Sequence, residues 1–215
     1  MLGHLNKYLK KTILSILISV IPFSVYSEEK NIDLIKNNWS FDGIFGTFDR
    51  ASLQRGYQVY AEVCAGCHSV QHLSYRNLSE KGGPEFSVEE AKAIASQFEI
   101  EDGPNSEGEM FMRPARLSDN FAKPYPNVQA STSANGGAYP PDMSVLAKAR
   151  TGGADYIYSL LMGYKEAPEG YELDDGVYYN EYMQGNKIKM SEPISEGIVE
   201  YSDGTSPTKE QIAKD

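Results

Sequence analysis

Cysteine is nearly absent: the 215 residues hold two, Cys64 and Cys67, so no disulfide framework stabilises this fold. Histidine is as scarce, with His4, His68 and His72 the complete set. A structural zinc site takes four Cys or His ligands and would consume nearly all of them. Basic residues are short as well. Twenty Lys and Arg against 30 Asp and Glu give a formal charge of −10, which excludes the phosphate-neutralising surface of a nucleic-acid binder. The chain shows no internal repeat. The stretch from 12 to 25 is nearly all apolar but falls short of the roughly 20 residues that span a bilayer.

What is present points to one domain with an unusual core. A length of 215 residues suits a single filled domain. Fifteen Tyr and eight Phe supply buried surface, whereas 19 Gly and 11 Pro make much of the chain loop, so the loops need something to pack around. Residues 1–27 stand apart: Lys7, Lys10 and Lys11 precede the apolar run, and Val25-Tyr26-Ser27 resembles a signal-peptidase site. An uncleaved anchor is the alternative. Cleavage leaves a mature domain of residues 28–215 with 17 basic and 30 acidic residues, a net charge of −13. Such a surface attracts basic partners through a field that salt weakens.

Residues 49–68 read as one amphipathic helix, with Leu53, Tyr57, Tyr60 and Cys64 on one face. Ser87 and Glu90 form a capping box for a second, whose apolar face is Ala91, Ile94, Ala95 and Phe98. Residues 99–109 and 123–138 read as surface loops. Asp142 is expected to cap a short helix to Arg150, and Tyr156, Ile157, Leu160 and Leu161 mark another helix after Gly152-Gly153. Residues 177–190 are aromatic without a period, residues 197–204 are expected to hold a short strand or hairpin, and Ser206-Pro207 opens a final helix over residues 208–215.

The chemistry concentrates in Cys64-Ala65-Gly66-Cys67-His68, a C-x-x-C-H signature for c-type haem attachment. Two thiols add to the two vinyl groups of one haem, and the adjacent histidine is held beneath the iron. A thioredoxin-like dithiol lacks the strand and βαβ pattern it needs, zinc lacks ligands, and a disulfide inside a helix has poor geometry. The sixth iron position takes a methionine in an electron carrier, and candidates are Met110, Met112, Met143, Met162, Met183 and Met190. Met143 and Met162 fit helical core faces; Met183 and Met190 lie in irregular segments, and spacing does not choose between them.

Beyond the motif, Trp39-Ser40-Phe41, Gly46-Thr47-Phe48-Asp49-Arg50, Leu53-Gln54-Arg55-Gly56 and Tyr75-Arg76-Asn77-Leu78 resemble the cytochrome c1 family. So do the run from Ala134 to Asp142, Ala149-Arg150 with Gly152-Gly153, Asp155-Tyr156, Gly163-Tyr164, and the end from Tyr178 through Met190 to Thr205. The resemblance covers residues 37–215. It implies a mainly α, cytochrome c-like helical domain around one covalently bound haem c, with long loops and at most a short hairpin. It places the axial methionine on Met190, where the family's usual Ala-Pro-Pro is replaced by Ser191-Glu192-Pro193. It further implies that Arg150 and Tyr156 bind a haem propionate and that Pro140 and Pro141 border the haem pocket; His72, Tyr178, Tyr179 and Tyr182 read as scaffold.

By the same resemblance the chain carries single electrons within a quinol:cytochrome c oxidoreductase. It makes no bonds itself, and it works beside cytochrome b and a Rieske iron-sulfur protein, on the periplasmic side of a bacterial inner membrane. Family members are held there by a C-terminal helix that follows a segment like Ala213-Lys214-Asp215. Residues 99–109 and the cluster Glu166, Glu169, Glu172, Asp174 and Asp175 are candidates for docking a basic or membrane-anchored cytochrome c. The alternatives are a stand-alone periplasmic shuttle, a haem enzyme or gas sensor with an open sixth site, and a haem-free structural subunit.

Overall fold

Asp49 stops the extended chain and starts the first helix. Its carboxylate accepts a hydrogen bond from the Ser52 N–H at 3.0 Å, and α1 runs over Arg50–Val59. The computed structural model describes residues 32–215; the expected signal segment, residues 1–27, lies outside the described residues. The helix predicted over residues 49–68 does not continue unchanged. At Tyr60–Cys64 it widens into a π turn, closed by the Ala65 N–H donating to the Tyr60 carbonyl at 2.8 Å. One extra residue in the turn rotates everything after it relative to a 3.6-residue pattern, so the single-face reading holds only as far as Val59.

The elements that follow are short. A 3-10 turn, Tyr75–Leu78, leads to α2, Val88–Ala95, whose Ser87–Glu90 capping box forms as expected and whose Ala91 and Ala95 are fully buried. Residues 99–109 are not all loop: β1, Glu99–Asp102, pairs antiparallel with β2, Phe111–Pro114. Acidic residues have low strand propensity, which hid this hairpin; Arg113 holds it from the side by ion pairs to Asp102 and, at 2.6 Å, to Asp119. Likewise α3, Val128–Ala134, lies within a stretch expected to be loop, because Asn127, which looks like a loop residue, caps it through the Ala130 N–H at 2.8 Å.

The next helix, α4, is only Leu146–Ala149, and Asp142 does not cap it. Gly152 turns the chain at φ +92, where a Cβ would meet the Leu34 side chain at 2.3 Å, and α5 follows as Gly153–Met162. Residues 197–204 hold turns rather than the expected strand. The small hairpin lies earlier, β3 (Tyr178–Tyr179) against β4 (Lys187–Ile188). The final helix α6, Lys209–Lys214, forms where Ser206-Pro207 announced one and is capped by Thr208. Helices thus supply most of the regular structure, and none among the described residues is long and apolar enough to cross a membrane.

The apolar core is divided in two. One cluster gathers Val59, Tyr158, Ile194, Val199, Tyr201, Ile212 and Ala213, joining α1, α5 and α6. The other centres on Tyr75, wholly buried and stacked on Phe121 (4.6 Å between ring centroids) and Phe98 (5.7 Å). Residues 57–70, which carry the cysteines, feed both: Val59 and Val63 enter the first cluster, Tyr57, Tyr60 and Val70 the second.

Candidate functional site

The π turn ends at Cys64 and releases the chain into a tight turn, with the Cys67 and His68 N–H groups both donating to the Cys64 carbonyl (3.1 and 2.9 Å). Both thiols are free. Cys64 is half-buried, and burial, with a smaller push from Cys67, raises its thiol to about 11, so it is neutral at physiological pH. Cys67 is exposed.

His68 is set by its neighbour across the site. Its Nδ1 lies 2.8 Å from the Pro141 carbonyl oxygen, which can only accept, so Nδ1 carries the proton and donates. In the neutral ring Nε2 then keeps its lone pair, the form in which imidazole ligates a metal, and the carbonyl fixes the ring's orientation. This gives Pro141 a role more specific than bordering a pocket.

The Pro141 segment is itself fastened by a network that sequence reasoning missed. The Asp142 carboxylate accepts from Ser69 Oγ (2.7 Å), the Gln71 N–H (2.9 Å) and the Ser144 N–H (2.9 Å), while the Met143 N–H donates to the Ser69 carbonyl (2.8 Å). Burial alone would push the Asp142 carboxyl up; the hydrogen bonds from Ser144, Gln71 and Ser69 outweigh it and hold it well below the carboxylate range. A group so depressed stabilises the fold at pH above its unfolded value of about 3.9 and loses that contribution as pH falls through the folded one. Asp142→Asn is therefore expected to cost about 1–3 kcal/mol at neutral pH. Guanidinium titrations should show the gap to wild type closing only in strong acid.

Met190 is half-buried, and its backbone is pinned by Tyr164 Oη, which donates to the Met190 carbonyl at 3.0 Å. Around it Ile188 is buried, Lys189 Nζ reaches the Gly136 carbonyl at 3.1 Å, and Glu192 is ion-paired with Lys209. The departure at Glu192 thus has a partner for its charge. Asn180 ties this segment to α5: wholly buried, it donates to the Leu160 carbonyl (2.8 Å) and accepts from the Tyr182 N–H (3.0 Å). Asn180→Ala is expected to lower stability by about 1–3 kcal/mol, because it strands the Tyr182 N–H and leaves the Leu160 carbonyl only the longer bond from the Gly163 N–H (3.3 Å); thermal unfolding monitored by circular dichroism measures it.

The other methionines are placed differently. Met143 and Met162 pack on the second and first clusters, Met162 from α5 but Met143 from the chain before α4 rather than from the expected helix, and Met110 and Met112 are 54% and 56% exposed at the hairpin. Met183 is half-buried with its sulfur 4.0 Å from Tyr156 Oη, so the tyrosine expected at a propionate faces a thioether. Arg150 is exposed and makes no ion pair among the described residues, and Pro140 is half-buried. A cavity of about 410 Å³ lies elsewhere, lined by Trp39, Phe41, Phe48, Leu53, Lys214 and Asp215 among others, and holds none of the expected site residues.

These donors fit a haem. Two free thiols sit three residues apart at a helix end, the adjacent imidazole engages Pro141 through Nδ1 and so has Nε2 to spare, and the apolar core is parted on either side of them. A helical domain with this donor set defines a class of haem-binding proteins, and comparison with known sequences gives the family within it. The model described as the Cytochrome C1 family matches residues 39–215, and the chain belongs to that family. Among similar proteins, "Cytochrome c1-2, heme protein, mitochondrial" of Solanum tuberosum is 49% identical over 177 residues, covering 82% of this chain and 67% of the relative. "Cytochrome c1" of Rhodospirillum rubrum is 40% identical over 215 residues, covering 93% and 78%. "Cytochrome b/c1" of Bradyrhizobium diazoefficiens is 47% identical over 198 residues, covering 83% of this chain but only 29% of that longer protein.

Proposed function

We propose that this chain is the c-haem subunit of a quinol:cytochrome c oxidoreductase and carries one electron at a time from a Rieske iron-sulfur protein to a cytochrome c. The observation that carries the reading is His68, its Nδ1 held by the Pro141 carbonyl and its Nε2 presented beside two free thiols. When bound, a haem supplies the one-electron iron couple. Cys64 and Cys67 would tether it, His68 Nε2 and the Met190 sulfur would ligate its iron, and Arg150 and Tyr156 would hold a propionate. The Pro141 carbonyl would orient the histidine, with Pro140 beside it at the edge of the pocket, and the Tyr164–Met190 hydrogen bond would hold the backbone of Met190 in place.

Cytochrome b and the Rieske protein are the partners within the membrane complex. A C-terminal helix anchors the domain on the periplasmic side of the inner membrane, after residues 1–27 have directed its export. Nucleic acid plays no part. Glu166, Glu169, Glu172, Asp174 and Asp175 are all exposed and form one docking candidate for a basic or membrane-anchored cytochrome c. In the 99–109 region Asp102 is bound by Arg113, leaving Glu99, Glu101, Glu107 and Glu109 to act. Reversing the 166–175 charges is expected to slow electron delivery several-fold at low salt and little at high salt, in stopped-flow oxidation by cytochrome c. An unchanged salt dependence removes that surface from the account.

The test of the whole reading is quinol addition to the purified complex. This chain's haem should be reduced only when the Rieske protein is present, and the reduced form should not bind carbon monoxide rapidly. Purification free of cytochrome b would favour the stand-alone shuttle, and rapid carbon monoxide binding an open-site enzyme or sensor.

A further inference from the structure

Residues 43–46 project two apolar side chains that the fold itself does not use. Ile44 is 95% exposed and Phe45 94%, more than any other large apolar residue among those described. The turn that presents them is closed: the Gly46 N–H donates to the Gly43 carbonyl (3.3 Å), the Thr47 N–H to the Ser40 carbonyl (3.0 Å), and Phe41 packs on Phe48 at its base (4.9 Å between centroids). A loop fixed this way keeps both side chains in solvent at standing cost, which identifies a surface that meets something apolar.

Three features say what it meets. Both side chains stand almost wholly in solvent, so whatever covers them must close around them. From Asn37 to Phe48 the only charged residue is Asp42, whose carboxylate accepts from the Trp39 N–H (3.2 Å); elsewhere the chain is strongly acidic. And the base of the loop, Phe41 and Phe48, lines the 410 Å³ cavity together with Trp39, Leu53 and the end of α6, Lys214 and Asp215. Aromatic rings, an exposed cation and an unpaired apolar tip on one face are the mixture that settles at the headgroup level of a bilayer.

We propose that the Ile44-Phe45 tip inserts into the lipid surface and, with Trp39 and Lys214 at headgroup level, sets the height and tilt of the haem domain over the membrane. The inference rests on the proposed anchor, which leaves the domain from the Asp215 end and brings this face to the bilayer. It assigns the loop to lipid rather than to a neighbouring subunit.

The test places a nitroxide at the tip of the full-length subunit in its complex, reconstituted in phosphatidylcholine–phosphatidylglycerol vesicles. Phe45→Cys is suitable because the side chain packs on nothing. Ser106→Cys, in the exposed acidic loop, is the water-facing reference, and label bound by the unsubstituted complex is subtracted. Saturation measurements compare collisions with oxygen, which concentrates in lipid, and with a nickel chelate, which stays in water. The expected result is a ratio of oxygen to nickel accessibility about tenfold or more above that at residue 106, as befits a large apolar side chain moved out of water. A ratio equal to the reference leaves the tip in water and overturns the inference. So does a label shielded from both reagents, which means a protein neighbour covers it. Quinol-driven reduction of the same sample is read alongside: a water-exposed tip with a reducible haem defeats this inference alone, whereas a sample without haem defeats the functional reading and leaves the label's answer standing.

Discussion

Replacing Met190 by Ala is expected to abolish the sulfur-to-iron charge-transfer band of the oxidised protein and to lower its reduction potential by roughly a few tenths of a volt, within the range of about 0.8 V that axial ligands command. The reduced variant should also bind carbon monoxide, since the sixth position opens. The fold should survive, because residue 190 is held through its main chain: the Tyr164 hydroxyl donates to the carbonyl, and Ile188 stays buried. Met183→Ala is the discriminating control. It removes only the thioether beside the Tyr156 hydroxyl, so the band should persist. If the band instead survives Met190→Ala and vanishes with Met183→Ala, the assignment of the last segment is reversed.

Arg55→Ala should have the largest effect on stability, about 3–5 kcal/mol, or on the order of 10 °C in Tm for a chain of this size. Arg55 meets the Asp215 carboxylate with two bonds of 2.8 Å and reaches Asp203 at 2.9 Å; its side chain is 16% exposed and that of Asp215 is 0% exposed. Removing the guanidinium strands a buried carboxylate. Burial alone would raise the Asp215 carboxyl, but the bonds from Arg55, Gln211 and Ser52 outweigh it and hold it below its ordinary value. Its contribution is therefore present above about pH 3.9 and fades as pH falls through the folded value. In the variant only the bonds from Gln211 and Ser52 are left to oppose the burial, so the carboxyl rises and its neutral form gains. The gap to wild type should be widest near neutral pH and narrow in acid. Arg55→Lys should recover only part, having no planar fork. Gly56→Ala tests the same junction by shape, since a Cβ there would stand 2.2 Å from the Asp215 carbonyl oxygen and push α6 off α1.

The sequence made legible what depends on near neighbours. Ser87 and Glu90 form the capping box expected of them, and helices begin beside Asp49 and Thr208 where they were expected, because such signals are written within four residues; the cap expected at Asp142 does not form. The C-x-x-C-H motif and its adjacent histidine were readable for the same reason. What stayed hidden depends on distant partners or on geometry that residue types do not encode. The Arg55–Asp215 junction joins residues 160 apart, and the Pro141 carbonyl meets His68 across 73. Nothing in Tyr60–Cys64 announces a π turn, although that turn aims the cysteines. The acidic strand β1 needed Arg113, and helix α3 was masked by the Asn, Ser and Thr residues that cap and fill it.

The central claim is that one haem is covalently bound through Cys64 and Cys67. Its most direct test is the intact mass of the full-length chain, produced with haem-attachment machinery and denatured in acid acetone to strip any haem that is not covalently held. The account predicts a chain heavier by one haem, with the addition lost when both cysteines are replaced by Ala. A chain at its bare polypeptide mass, or one that keeps its haem without the cysteines, contradicts it.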